Sequence, residues 1–441
     1  MPVKRFLRFY LPFLLLGVII LVGLCLAFPG CADMPILDPP PGEEAPPGSA
    51  AVAFGPYLTS ADGRQPMFRF IANRRVVAGL QNLDRSDRRV NRQGAFSLFH
   101  TLAIPEIDSA QPQRYQLWLD DQSGGVYRLQ GLPPYGQAVT LAFAGGQADP
   151  ERLQATGVNL RLVAPQATVF VSPPFAGELP ERSEDWSSRF LGPLGNVIDF
   201  GPLWFVPGSG LPAQLYPEHN DEGGYWKRDV GVIRLIAIDA RAFSFPSSTQ
   251  AVLARLERDL DPQRRQRAWT VVVLSRPAFD ARVGDGRILE ALGDRLETGG
   301  VDLVIAGGGQ GYLRTRPFSV SGVGGTRYIA LADQPASSLP EPREYVAALS
   351  NQPHVAGLWA DEGNLEWRVI GPGGVPLDSL TLDYDRRPLE ASLSKWDILV
   401  DAQASLTLQK ELLRLTRQAA RAVPNPSANL LLPLYFVNPS T

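Results

Sequence analysis

Histidine is scarce in this chain: His100, His219 and His354 are the only three in 441 residues. Counting alone all but excludes a dinuclear metal centre built mainly on imidazoles. Cysteine is scarcer still. Cys25 and Cys31 are the only two, both near the start, so no disulfide can form within the chain beyond residue 31. An excess of positive charge is also lacking. The 42 Lys and Arg stand against 45 Asp and Glu, a formal net charge of -3, which gives no case for a nucleic-acid partner.

What is plentiful is glycine and proline. With 42 and 40 of them, many turns and short strands are expected rather than a helical bundle. A hydrophobic content of 44% and a charged content of 20% describe an ordinary globular protein, long enough for two or three domains.

Residues 1–30 hold one long apolar run, from Tyr10 to Phe28, behind Lys4, Arg5 and Arg8. Its length is near the ~20 residues that span a bilayer, and the basic residues place the N-terminus on the cytoplasmic side. A retained signal anchor and a cleaved signal peptide both fit, and the length favours the anchor. Cys31 follows Phe28-Pro29-Gly30, a loose match to a lipoprotein cleavage box that the bulky Phe-Pro pair fits poorly. Each reading exports the remainder. The expectation is a membrane-anchored, extracytoplasmic protein, periplasmic or at the cell surface. Residues 31–51 are a Pro/Gly-rich linker without apolar mass to pack.

From residue 52 to 137 the signals are short strands, at Met67 to Ile71, Phe96 to Ile104 and Tyr115 to Leu119, with a turn at Asp121 to Gly125. This spacing suggests a small β-sandwich. From 138 to 383 strands alternate with helices. Strands are expected at Val139 to Phe143, Ala167 to Val171, Val232 to Ile238, Trp269 to Leu274 and Val301 to Ala306. Helices are expected at Asp149 to Gly157, Gly286 to Leu296 and Ser247 to Leu260, the last with Ser247 or Ser248 as N-cap. Leu365 to Ile370 and Val375 to Leu382 read as a closing hairpin. The class is α/β. Residues 384–441 are a C-terminal tail, helical in pattern from Leu399 to Val423 and stopped by Pro424. The apolar segment Leu430 to Val437, too short to span a membrane, is expected to dock on the core, with a protein partner as the rival reading.

The strand at Val301 to Ala306 ends in Gly307-Gly308-Gly309-Gln310 and continues as Tyr312-x-Arg314-Thr315-x-Pro317, read as a loop. This resembles the last signature of the calcineurin-like metallophosphoesterases, purple acid phosphatase branch, where a strand ends in Gly-His-x-His-x-Tyr-x-Arg-Thr-x-Pro. Further stretches fit the family's order. Phe143 to Gln147 resembles the strand ending in Gly-Asp. Pro165 to Pro173 resembles the segment that carries the bridging aspartate, and Val206-Pro207-Gly208-Ser209-Gly210 resembles Val-Pro-Gly-Asn-His. Trp186, Phe190 and Pro193-Leu194 resemble a Trp-x-x-x-Phe helix. Gly231 to Asp239, and Trp269 to Phe279 with Ser275 at a histidine position, resemble two later strands. Phe54-Gly55-Pro56-Tyr57 and Pro112-Gln113-Arg114-Tyr115 resemble the fibronectin type III-like domain that precedes the catalytic domain in that branch.

The resemblance implies a four-layer α/β/β/α sandwich behind a fibronectin type III-like β-sandwich, and a dinuclear Fe, Zn or Mn site. Yet every metal-ligand position that aligns is replaced, by Gly146, Pro173, Ser209, Gly210, Ser275, Gly308 and Gln310. Serine and glutamine are feeble ligands for such metals, and glycine and proline side chains are none. No cofactor is expected, and the chain leans away from being an enzyme. The expectation is a catalytically inactive, membrane-anchored binding or scaffolding module. Tyr312 and Arg314 are its candidate binding residues, although structural pairing is the preferred role for Arg314. The alternative is a metal-dependent phosphoesterase with relocated ligands, for which Glu218-His219-Asn220-Asp221-Glu222 is the one dense cluster. A metal-free enzyme in the same cleft is the third reading.

Overall fold

A computed structural model describes residues 49–60, 65–85, 90–104, 107–145, 150–172, 187–207, 224–261, 269–279, 286–318, 325–334 and 344–384. The expected signal segment, the linker and the C-terminal helix lie outside these residues. Among the described residues no helix is long and apolar enough to cross a membrane.

The chain opens with five antiparallel strands: β1 (Val52–Thr59), β2 (Met67–Asn82), β3 (Asn91–Ala103), β4 (Gln113–Leu119) and β5 (Gln122–Leu129). They form one hydrogen-bonded sheet, where the sequence suggested a two-sheet sandwich. The long β2 is the reason. Its first half pairs with β1, its second half with β4, and β3 follows it along the other side. Phe68, Phe70, Val76, Leu80, Leu102, Tyr115 and Leu117 gather into one core. The expected turn at Asp121 to Gly125 is displaced. Asp120 takes the left-handed conformation (φ 53°) and the chain enters β5 at once. Gly124 lies within that strand, where an added Cβ would press on the Leu117 side chain, 3.0 Å away.

Next come β6 (Val139–Ala144), α1 (Pro150–Val163), β7 (Ala167–Phe170) and β8 (Leu203–Phe205). Then follow β9 (Tyr225–Val230), β10 (Ile233–Ile238), α2 (Pro246–Leu260), β11 (Trp269–Leu274), α3 (Gly286–Thr298) and β12 (Leu303–Gln310). The last strands are β13 (Tyr312–Thr315), β14 (Arg327–Gln334), β15 (Val346–Ser350), β16 (Val355–Ala360), β17 (Asn364–Ile370) and β18 (Pro376–Asp383).

These strands form two mixed sheets. One has seven strands in the order β15-β13-β14-β12-β11-β10-β9, the other six in the order β18-β17-β16-β6-β7-β8. The sheets pack face to face through Leu141, Val169, Leu235, Val271, Ile305, Leu358 and Trp367. The outer face of the seven-stranded sheet takes α2 and α3 through Ile236, Val272, Leu256 and Leu292. The outer face of the six-stranded sheet takes α1 through Ala142, Phe170, Leu153 and Leu160. The order is therefore helix, sheet, sheet, helix. β11 is buried at all six positions, because a strand covered on both faces has no solvent side. Each large side chain so buried contributes ~1.5–3 kcal/mol.

The first sheet is joined to this sandwich. Phe54, Tyr57 and Ile71 enter the α1-side core, and Leu58 bridges Pro202. That contact lies on the helical face of the six-stranded sheet.

Candidate functional site

In open α/β sheets ligands meet the carboxyl ends of parallel strands. The parallel strands here are β6, β7 and β8 in one sheet, and β10, β11, β12 and β14 in the other. The family-like motifs follow the ends of β6, β7, β8, β11 and β12, at one edge of the sandwich.

Two of those motifs touch. A Cβ placed on Gly307 would lie 2.3 Å from the Val171 carbonyl oxygen and 2.7 Å from Ser172 Cβ. Only glycine lets the end of β12 come so close to the end of β7. Gly308 is exposed and left-handed (φ 77°), and the pairing of β12 with β14 slips between Ala306 and Gln310. Gln310 ends the strand, and its side chain lies outside the described residues. Gly146, Pro173, Ser209, Gly210 and the Glu218-to-Glu222 cluster also lie outside them.

Ser275 closes β11. Its hydroxyl donates to Asp239 Oδ1 at 3.2 Å and accepts the Ala240 amide at 2.9 Å. Asp239 in turn accepts the Arg241 amide at 3.0 Å and Arg241 Nε at 2.9 Å. The Asp239 carboxylate raises the pKa of the Arg241 guanidinium. Asp239 thereby caps the short turn Ala240–Ser244 at the end of β10, and the Ser275 hydroxyl is occupied within the protein.

Tyr312 and Arg314 lie on β13, a strand where the sequence suggested a loop. Gly311 (φ 91°) turns the chain out of β12, and β13 pairs antiparallel with β14 and β15. Tyr312 is fully buried. Its hydroxyl donates to Asp378 Oδ2 at 2.5 Å and accepts from Trp367 Nε1 at 3.1 Å. Arg314 grips the same carboxylate with two bonds, Nε to Oδ2 at 2.7 Å and Nη2 to Oδ1 at 2.9 Å. The side chains of Arg314 and Asp378 are 13% and 8% exposed. Burial and the Asp378 charge push the Tyr312 hydroxyl far above the ordinary phenol range. Burial acts against the Arg314 charge, but the Asp378 carboxylate outweighs it and the pKa is raised. The geometry therefore makes this pair a tie between β13 and β18, the structural pairing that the sequence reading preferred for Arg314. The sequence reading gave Arg314 no partner. The available signal was Asp378 itself, an acid in phase with Leu380 and Leu382 on β18, where an inward charge needs a counter-ion.

Two histidines are placed. His100 stacks on Phe70 at 4.7 Å and its Nε2 meets the Ser97 carbonyl at 2.9 Å, within the first sheet. His354 lies edge-on to Tyr312 at 5.4 Å. Its Nδ1 donates to the Gln352 carbonyl at 2.7 Å while Nε2 accepts the Ala332 amide at 3.4 Å. Both ring nitrogens are engaged, and burial lowers the pKa of the ring.

The described residues at this edge do not fit the dinuclear iron, zinc or manganese centre that the resemblance implies. Ser275 bonds to Asp239 and Ala240, Gly307 and Gly308 offer no donor atom, and His354 is held by backbone on both sides. Among the described residues no three His, Cys, Asp or Glu side chains come together as a metal cluster would require.

Comparison with solved structures identifies the architecture. The chain is similar to the purple acid phosphatase PPD1 from yellow lupin (Lupinus luteus) seeds, with a TM-score of 0.59 and 13% identity over 76% of this chain and 75% of that one. The fold is that of a purple acid phosphatase-like phosphoesterase. PhoD is also similar, with a TM-score of 0.52 and 10% identity over 84% of this chain and 98% of that one. At these identities the likeness establishes the fold alone. No family model and no curated protein matches the chain. The two packed sheets and their covering helices agree with the α/β/β/α sandwich that the resemblance implied.

Proposed function

We propose that this chain is a pseudoenzyme: a membrane-anchored, extracytoplasmic binding or scaffolding protein that keeps the phosphoesterase fold without its metals. The observation that carries the reading is the fate of the histidines. Of the three in the sequence, His100 belongs to the first sheet and His354 is held between two backbone groups. That leaves His219 alone to supply imidazole to any metal. A phosphoesterase centre of two ions needs several strong ligands to activate water and polarise a phosphoryl group. Ser275 and Gly308, at the aligned positions described here, offer one engaged hydroxyl and no side chain. The apolar run at Tyr10 to Phe28 supports the anchor, and the tail at residues 384–441 is the candidate partner-binding segment.

The test is metal analysis of the full chain purified in detergent, together with turnover of an aryl phosphate. The expected result is no stoichiometric iron, zinc or manganese and no metal-dependent turnover. Stoichiometric metal with turnover abolished by Asp221→Asn or His219→Ala would overturn the proposal and establish the relocated-ligand phosphoesterase.

A further inference from the structure

Helix α1 is apolar on two sides. Its inner side enters the core through Leu153, Leu160 and Val163. Its outer side carries Ala155, Val158 and Leu162 at i, i+3 and i+7, and Val158 and Leu162 are 45% and 57% exposed. α2 and α3 are built differently. Among the described residues neither exposes a large apolar side chain, and Gln250, Glu257, Arg258 and Asp294 take outward positions. A single exposed apolar residue is ordinary, but a helix with apolar residues on both sides is built to be covered on both.

The outer side of α1 continues onto the turn between β17 and β18. A Cβ on Gly374 would lie 3.1 Å from Leu162 Cδ1, and Val375, the next residue, is 54% exposed. Gly373 and Gly374 are left-handed (φ 68° and 81°), and a Cβ on Gly373 would meet nothing within 4 Å. No side chain therefore rises from the turn ahead of Val375, and the space over it is open. We propose that this surface is the dock for the chain's own tail, residues 404–423, lying on α1 as a second helical layer. The inference is independent of whether the strand-end site holds metal.

The pattern of the tail fits the dock. Leu408, Leu412, Leu415 and Ala419 recur at i, i+4, i+7 and i+11, along one side of a helix. Lys410, Arg414, Arg417 and Arg421 repeat that spacing two residues on, which sets them on the opposite side. Pro424 ends the pattern. A helix of this kind has little stability until its apolar side is packed. Ridges of residues three and four apart, present on both partners, are what helix pairs interlock.

The tail also starts within reach. The described residues end at Tyr384, just after β18, and β18 begins next to Val375. The return along its 8 residues is ~27 Å, at ~3.4 Å each. Residues 385–403 reach more than twice as far when extended, at ~3.3 Å per residue. Tethering gives the tail an effective concentration of about millimolar at the dock, an advantage that a second copy or a separate partner lacks. Docking turns the leucines inward and presents the four cations outward as a basic ridge.

The experiment is hydrogen exchange read by mass spectrometry on the full chain in detergent. Slow exchange is expected at the amides of residues 408–420. Leu162→Asp and Leu412→Asp should each abolish it, whereas Arg414→Gln, on the opposite side of the tail helix, should leave it. Leu162 is more than half exposed and Leu412 lies in the tail, so neither change touches the core, and exchange in β11 should stay as in the parent. Fast exchange at 408–420 in the parent would overturn the proposal. So would protection that survives Leu162→Asp, as a tail bound to the micelle or elsewhere on the sandwich would give. Protection that disappears on dilution would assign the dock to the tail of a second copy and overturn it equally.

Discussion

Replacing Asp378 by alanine tests whether the surviving motif on β13 is a structural clamp. The carboxylate receives three hydrogen bonds, from Tyr312 at 2.5 Å and from Arg314 at 2.7 and 2.9 Å. With the Arg314 and Asp378 side chains 13% and 8% exposed, water screens the pair little. Asp378→Ala would strand a buried guanidinium and a buried phenol, and breaking such a pair from one side costs about 3–5 kcal/mol. For a domain of this size a loss of 1 kcal/mol lowers Tm by roughly 2–4 °C. Scanning calorimetry should therefore show a fall of roughly 6–20 °C. The double replacement Asp378→Leu with Arg314→Met removes both charges and fills the space with apolar atoms. It should recover to within about 2 kcal/mol of the parent, because apolar substitutes for buried ion pairs are often neutral. Tyr312 still accepts from Trp367 in that variant. If Asp378→Ala costs less than about 1 kcal/mol, or if the double replacement loses the sum of the two singles, the clamp reading is wrong.

Two further predictions concern backbone fit and pH. Gly307→Ala should cost about 1–3 kcal/mol, because the new methyl meets the Val171 carbonyl oxygen at 2.3 Å and the backbone cannot yield cheaply; urea midpoints equal to those of the parent would show that the two strand ends can separate. Burial lowers the pKa of both His100 and His354 below 6.5. The unfolded chain then takes up these protons first, so their stability contribution is complete above the unfolded pKa and is lost as pH falls below it. The slope is at most about 1.4 kcal/mol per pH unit per site. Urea midpoints measured from pH 8 to pH 5 should fall, and His354→Gln should flatten the fall; an unchanged pH dependence in that variant would exclude His354 from the effect.

The parts of the fold legible in the sequence were those whose burial is uniform. β6, β10 and β11 lie within a residue or two of their expected bounds because both faces are covered and each run is apolar but for one residue, Thr140, Arg234 and Thr270 respectively. β9 was not anticipated. Its sequence, Tyr-Trp-Lys-Arg-Asp-Val, reads as polar, yet it pairs with β10 at the sheet edge. Arg228 is buried there, its guanidinium 4.2 Å from the Trp226 ring centre and 5.1 Å from that of Trp204. Such a pairing of aromatic faces with a cation depends on two sheets meeting, which no local pattern announces. The start of α2 shifted for a local reason. Pro246 takes the first turn and Phe245 the N-cap position, so the serines expected to cap the helix lie inside it.

The candidate site was legible in its frame more than in its chemistry, and the physics of the two parts differs. The residues that match the family motif are those whose partners lie inside this protein. Tyr312 and Arg314 meet Asp378, and the Thr315 hydroxyl accepts the Tyr328 amide at 3.0 Å. Gly307 is the only residue type that fits against Val171. Removing any of them leaves a buried polar group without a partner or forces the strand ends apart, at a cost of kilocalories in a protein whose stability is itself a small difference. Ser275 and Gly308 stand at positions that the sequence resemblance aligns with metal ligands. The Ser275 hydroxyl is held within the protein, in the cap at Asp239. Clamping residues of this kind report the fold, whereas function resides in the site and not in the frame around it.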